Sequence, residues 1–310
     1  MIDRRNFALG AGALALIGGT LAGCSVHKSA ANPQDQARSA IAEAALAELE
    51  IASKGRLGAF VLDTGTGRSL GLRHGERFGM CSTFKLSLAA YLLREADAGR
   101  INLDEIISYT QADLIANSPV TSGNLASGSM TIGAMAEATQ LTSDNAAANL
   151  LLRRIGGPGT LTAFWRELGD RTSRLDRYEP AANLVPRGEV RDTVTPEGIA
   201  RSVARFVVGD VLKPATRNRL VDWMARTETG QRRIRAALPP GWRGGDKTGT
   251  GANEDMPNKY NDIAVLYPPD GRAPLVVAGF FEANAFFDGM RAEDEAVLKT
   301  LGEVAIRWAN

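Results

Sequence analysis

Residues 82–98 leave a helix no polar face: Phe84, Leu86, Leu88, Ala89, Ala90, Tyr91, Leu92 and Leu93 point in every direction around its axis. A helix that is apolar on nearly all sides must be buried at the centre of a domain, so the remaining chain has to wrap around it. Gly99 supplies its C-terminal stop.

What surrounds that helix follows from the order of the other periodic segments. Residues 35–53 carry Ala, Leu, Ile and Glu at helical spacing, with Gly55 beyond the end. Residues 57–62 and 69–73 read as strands around the turn run Asp63-Thr64-Gly65-Thr66-Gly67. Helices are predicted over 132–140, 145–155, 161–168, 196–207 and 214–225. Strands return at 262–267 and 275–281, and an amphipathic helix over 292–308 follows them. Strands at both ends and helices between them predict an α+β fold. One antiparallel sheet is built from both termini and covered by the terminal helices, and an all-helical domain is inserted into it. The sheet domain takes 37–75 and 230–310, and the helical domain 76–229. The cleft between them is the expected ligand site. Residues 174–192 contain Pro180 and Pro186 and lack periodicity. A loop of that length inside a compact domain is usually functional.

The first 24 residues read as an address. Arg4-Arg5 precede Phe7, a Gly/Ala-rich apolar run follows, and Leu21-Ala22-Gly23-Cys24 resembles a bacterial lipobox. The arginine pair resembles a twin-arginine export signal. Cys24 is then the expected lipidated first residue of the mature chain, residues 25–36 its tether, and the cell envelope its location. The membrane is touched only through that anchor.

Composition narrows the chemistry. Lys and Arg number 36 against 35 Asp and Glu, so no charge excess suggests nucleic acid, and a small molecule is the expected partner. Only two histidines occur, His27 in the tether and His74 alone in a turn-like run. A zinc site needs several His or Cys ligands close together, which this chain cannot easily supply. A hydrolase built from this chain needs Lys or a carboxylate as its base. Cys81, the one cysteine beyond Cys24, reads as a small buried apolar residue.

Four short patterns carry candidate chemistry. Ser82-Thr83-Phe84-Lys85 puts a hydroxyl and an amine at i and i+3 on one helix face, where the amine can activate a weak nucleophile. Ser25-Val26-His27-Lys28 has the same spacing but lies in the tether; the buried helix start singles out Ser82. Backbone N–H groups at that start favour a developing oxyanion. Ser143-Asp144-Asn145 precedes an Ala/Leu helix and reads by itself as an N-cap. Lys247-Thr248-Gly249 follows Gly244-Gly245-Asp246 on a strand whose glycines let a ligand approach the backbone; a surface turn is the plainer alternative. Glu179 and Asn183 share the long loop, where a carboxylate beside an amide can hold a water and take its proton; a surface loop acid is the plainer reading of this pattern alone.

In order and spacing the four patterns together resemble the class A serine β-lactamases, over roughly residues 36–310. Arg174–Pro180 and 191–196 look like that family's Ω-loop, about 174–192, and the helix start after it. The resemblance implies a hydrolase that opens the β-lactam ring of penicillins and cephalosporins through an acyl-enzyme on Ser82 and so confers antibiotic resistance. It implies catalytic roles for Ser82, Lys85, Ser143 and Glu179. Asn145, Asn183, Lys247, Thr248, Thr250 and Arg233 would bind substrate, with the amides of Ser82 and Thr250 as the oxyanion hole. Arg177 and Asp192 would pair across the loop base, and the Glu179–Pro180 peptide would be cis. A monomer is expected, and the resemblance implies no metal or organic cofactor. Two departures stand out: Asn117 replaces an aromatic residue common at the cleft mouth, and Gly251 denies Cys81 the disulfide partner that some carbapenem-hydrolysing members have. A penicillin-binding D,D-peptidase lacks the Glu179 loop, and a non-catalytic receptor needs no activated nucleophile.

Overall fold

The computed structural model describes residues 32–310. Elements in chain order are α1 (Pro33–Ser53), β1 (Arg56–Asp63), β2 (Ser69–Leu72), β3 (Phe78–Gly79), α2 (Phe84–Asp97), β4 (Ile106–Ser108), α3 (Pro119–Gly123), β5 (Ser129–Thr131) and α4 (Ile132–Leu141). They continue with α5 (Asn145–Arg154), α6 (Gly159–Glu167), β6 (Thr193–Val194), α7 (Pro196–Val207), α8 (Pro214–Ala225), β7 (Arg243–Asn253), β8 (Met256–Tyr267), β9 (Leu275–Glu282) and α9 (Ala292–Ala309).

Five strands form one antiparallel sheet in the order β2-β1-β9-β8-β7. The chain's two ends therefore meet at the β1–β9 pairing, as the segment order predicts. One face of the sheet packs on α1 and α9 around Leu46, Val277, Phe281, Leu298 and Leu301. The other face contributes Phe60, Ile263, Val265, Ala278 and Phe280 to a core that runs without interruption into the helices. The helical part and the sheet thus share one core. α2 lies inside it, with ten buried residues. Its buried polar groups all find partners: Ser87 Oγ accepts from Trp165 Nε1 at 3.0 Å, and Lys85 turns into the cleft.

Three differences from the sequence reading have local causes. α1 begins at Pro33, inside the stretch 25–36 expected to be tether, because the Asn32 side chain caps Gln34 N and Pro33 suits the first helical position. The part between residues 76 and 229 is not wholly helical. Two short ribbons, β3–β6 and β4–β5, cross it through pairings too short and too distant in sequence for periodicity to reveal. Strand β8 starts at Met256, six residues earlier than the apolar run at 262–267 suggests, because its first half is polar yet buried. Cys24 and the rest of the export segment lie outside the described residues.

Candidate active site

Ser82 sits in a 3-10 turn, Cys81–Thr83, that runs directly into α2. The turn opens on Cys81 at φ 45°, a region sparsely used by residues other than glycine, and delivers Ser82 to the wall of a cleft of about 740 Å³. Helical spacing then brings Lys85 Nζ to 2.9 Å from Ser82 Oγ.

The cleft's opposite wall is β7. This strand pairs with β8 along one edge only, and its other edge lies against the Ser82 turn. Gly249 makes the approach possible: a Cβ there would fall 2.7 Å from the Met80 carbonyl and 3.1 Å from the Ser82 amide nitrogen. From β8, Asn261 Nδ2 donates to the carbonyls of Gly79 at 2.8 Å and Met80 at 3.2 Å, which ties the turn to the sheet.

The third wall is the loop over 174–192. Ser82 Oγ donates to Glu179 Oε1 at 3.2 Å, and Lys85 Nζ lies 3.2 Å from the same oxygen. Glu179 Oε2 accepts from Asn183 Nδ2 at 2.5 Å. Asn149 on α5 clamps the backbone of Glu179 from both sides, accepting from its N–H at 2.9 Å and donating to its carbonyl at 2.8 Å. The Glu179–Pro180 peptide is cis. At the loop base Arg177 Nε meets Asp192 Oδ2 at 2.5 Å, and Asp192 Oδ1 also accepts from the amides of Asp176 and Arg177. The expected pair is therefore present, with two backbone bonds added.

A fourth wall comes from the turn before α5. Lys85 Nζ donates to the Ser143 carbonyl at 2.8 Å and lies 3.3 Å from Ser143 Oγ; it also donates to Asn145 Oδ1. Asp144 caps α5 through Ala147 N and accepts from the amides of Val120 and Thr121, so one carboxylate holds two segments together. Asn117, at φ 59°, donates to the Ser143 carbonyl at 3.1 Å. Asparagine tolerates that backbone region better than most side chains.

Burial sets the electrostatics. Lys85 and Glu179 have no exposed side-chain surface. Burial pushes the Lys85 ammonium below the ordinary lysine range, against the opposing pull of Glu179. Burial, reinforced by the positive charge of Lys85, brings Lys247 down to about 7. The Cys81 thiol goes the other way, to about 12, because its thiolate would be stranded in the core. A Cβ on Gly251 would lie 3.0 Å from Cys81 Sγ, so the two positions do face each other.

Most of the expected residues thus converge. Ser82, Asn117, Ser143, Asn145, Asn183, Thr248, Thr250 and Arg233 line the cleft, with Lys85 and Glu179 directly behind Ser82. Two are placed differently. Lys247 is fully buried behind the cleft wall, with Nζ donating to the Thr248 carbonyl at 2.9 Å. Arg233 is 2% exposed, and its donors go to the carbonyls of Gly249 and Asn261 and to Thr250 Oγ1. It braces Thr250 more than it offers a free fork. The sequence reading missed Asn149, Asn261 and Thr229, whose Oγ1 lies 2.6 Å from Thr248 Oγ1. Only Asn149 left a signal, four residues after Asn145 on the same helix face. His74 is exposed and faces Glu197 at 2.9 Å, and Ser82 has no histidine among its partners.

A hydroxyl contacted at once by a buried lysine and a buried carboxylate, beside backbone amides, defines a serine acyl-transfer site that works without histidine. The chain belongs to the beta-lactamase enzyme family, whose model matches residues 40–309. It is 42% identical to Beta-lactamase L2 of Stenotrophomonas maltophilia over 99% of each chain. It is 44% identical to a beta-lactamase of Mycobacterium tuberculosis over 84% of each. Its fold superposes on an ancestral class A beta-lactamase with a TM-score of 0.80 and 46% identity, covering 86% of this chain and 98% of that one. A beta-lactamase structure from Burkholderia vietnamiensis gives 0.80 and 47%, with 86% and 96% covered. Family and fold together make this chain a class A serine β-lactamase.

Proposed function

We propose that this chain hydrolyses the β-lactam amide of penicillins and cephalosporins through an ester on Ser82, and so protects its host from these antibiotics. The contact of both Lys85 Nζ and Glu179 Oε1 with Ser82 Oγ carries the reading. Ser82 Oγ attacks the lactam carbonyl, and its proton leaves to one of those two bases. The carbonyl oxygen takes the negative charge and meets the amides of Ser82 and Thr250. The C–N bond then breaks, and the ring nitrogen receives a proton from Ser143 Oγ, which Lys85 can resupply across 3.3 Å. A water held between Glu179 and Asn183 next attacks the ester. Glu179 takes its proton, the ester C–O bond breaks, and Ser82 Oγ is reprotonated.

Asn145 and Asn183 present amides to the substrate's side-chain amide. Thr248, Thr229 and Thr250 offer hydroxyls to its carboxylate, with the charge of Lys247 behind them. Asn117 shapes the mouth. Arg4-Arg5 and the Leu21–Cys24 run support export and lipid attachment at Cys24 in the cell envelope. No described helix is long and apolar enough to cross a membrane, so an anchor of this kind would be the membrane contact.

Intact-protein mass spectrometry after mixing with a penicillin tests the mechanism. General-base catalysis is worth about 10²–10⁴-fold. Glu179→Ala should therefore gain the penicillin's mass at Ser82 and keep it for minutes, while the wild-type protein clears it within a catalytic cycle. Ser82→Ala should gain nothing and hydrolyse nothing. Normal turnover by either variant would refute the scheme. A Glu179→Ala protein that never acylates would place Glu179 in the first step as well.

A further inference from the structure

The loop over 174–192 separates two cavities. Pro180, Asn183 and Leu184 line the substrate cleft, while residues 185–190 wall a second cavity of about 810 Å³. The remaining walls are the C-terminal end of α1, the start of β1 and the segment between β2 and β3. None of the mechanism above uses this space.

Its lining carries five cations and four carboxylates, and two of those carboxylates are also paired with cations from outside the lining. Every carboxylate that faces it is already engaged. Glu50 holds Arg73 at 2.8 Å, Glu76 holds Arg56 at 2.8 Å, and Glu282 holds Lys259 at 3.0 Å. Glu189 is tied to Arg191, which lies outside the lining. Three cations on the same cavity have no carboxylate within ion-pair reach among the described residues: Lys54, Arg187 and Arg77. Arg77 uses Nη1 on the Thr172 carbonyl and Thr193 Oγ1, both neutral. They come from three separate elements: the end of α1, the loop wall, and the segment leading into β3. A concave surface with surplus charge of one sign focuses its field on the interior and raises the local concentration of counter-ions. Arginine and lysine are the natural partners of phosphate and carboxylate groups.

We propose that this cavity is a binding site for a small free polyanion bearing more than one phosphate or carboxylate group, held by Lys54, Arg77 and Arg187. Such a ligand bridges the loop to the sheet domain. Two contacts connect it to the catalytic side. Gly79 in β3 lies so close to Val185 that a Cβ on the glycine would stand 2.9 Å from the valine's, and β3 leads directly into the Ser82 turn. Val185 N donates to the Asn183 carbonyl at 3.1 Å. An occupied cavity therefore restrains the loop that carries Glu179 and Asn183.

The test is a calorimetric titration of the whole exported protein with pyrophosphate, and separately with citrate. One saturable site is expected. A Tm that climbs with ligand concentration and slower proteolytic cleavage within 185–190 should accompany it, because a ligand that binds only the native state stabilises it by mass action. The Lys54→Gln/Arg187→Gln double variant, neither residue being part of the catalytic machinery, should bind roughly tenfold or more weakly, since each lost charge-assisted contact is among the stronger hydrogen bonds. Its penicillin hydrolysis without anion should match wild type. Absence of saturable binding with both anions, or equal binding by the double variant, would overturn the proposal. So would an anion that raises KM for penicillin competitively in both proteins, because it would then sit in the substrate cleft. Binding is read without turnover, so only that last arm rests on the hydrolytic function.

Discussion

Two lysines in this site have no solvent-exposed surface, and their different neighbours divide their roles. Lys85 keeps Glu179 at 3.2 Å as a counter-charge, whereas Lys247 has the positive charge of Lys85 as its nearest strong influence after burial itself. The Lys247 amine therefore titrates near 7 in the free enzyme. Below that pH it is an ammonium and attracts a substrate carboxylate; above it the charge is lost. If Lys247 supplies that attraction, KM for a penicillin should rise as pH climbs through neutrality. The fall in kcat/KM would then report the free enzyme's lysine. A guanidinium stays charged throughout, so Lys247→Arg should flatten the alkaline limb even if its overall activity is lower. Superimposable pH profiles for the two proteins would show that some other group sets the dependence. Spacing alone paired Ser82 with Lys85 on one helix turn; the roles of Ser143 and Glu179 were legible only through the resemblance that the motifs carry together. The depth of Lys247 and the full commitment of Arg233 were legible from neither. Lys247 is buried by what packs on β7, and Arg233 is held by β8 and α9; neither fact is local in sequence.

At the level of elements, the 174–192 loop is anchored at its base and at its middle. Asp192 is fully buried at φ 57° and accepts from the amides of Asp176 and Arg177 as well as from the Arg177 guanidinium. Asn149 fastens the loop's middle. Asp192→Asn puts an NH₂ donor against one of these donors and removes the charge that Arg177 faces. Breaking a buried pair by altering one partner costs about 3 kcal/mol or more. The variant should lose Tm, become sensitive to protease between 174 and 192, and hydrolyse penicillin more slowly. Wild-type proteolysis and kinetics would mean that Asn149 and the packing of Val185 hold the loop without the ion pair. That this stretch is a loop was legible from its missing periodicity and its prolines. Of its anchors, the Arg177–Asp192 pair was legible only by resemblance and the Asn149 clamp was missed, since Asn149 and Glu179 stand 30 positions apart and nothing in their local sequence pairs them.

For the whole molecule, the joining of both chain ends in one sheet has a practical consequence. α1 and α9 cover one face of the sheet and α7 and α8 the other, and no residue of α1, the first described element, lines the cleft. Mass spectrometry of the native protein should find a mature chain that begins at a lipid-modified Cys24, and Cys24→Ala should release active enzyme from the membrane fraction. A soluble, unmodified chain with a different first residue would refute the anchor.

By itself the sequence determined what depends on neighbours along the chain. The buried helix follows from an apolar run with no polar face, and the order of strands and helices from their periods. The Ser82–Lys85 contact follows from the pitch of a helix, and the hydrolytic class from the family resemblance that four motifs in one order carry. Only the tertiary structure decided what depends on neighbours in space. It merged the expected helical and sheet domains into one core, because the inner sheet face has no other apolar surface to bury against. It placed β7 against the Ser82 turn, which only a glycine at 249 permits. It left three cations on the far side of the loop without carboxylate partners among the described residues, while every carboxylate on that cavity is paired with another arginine or lysine.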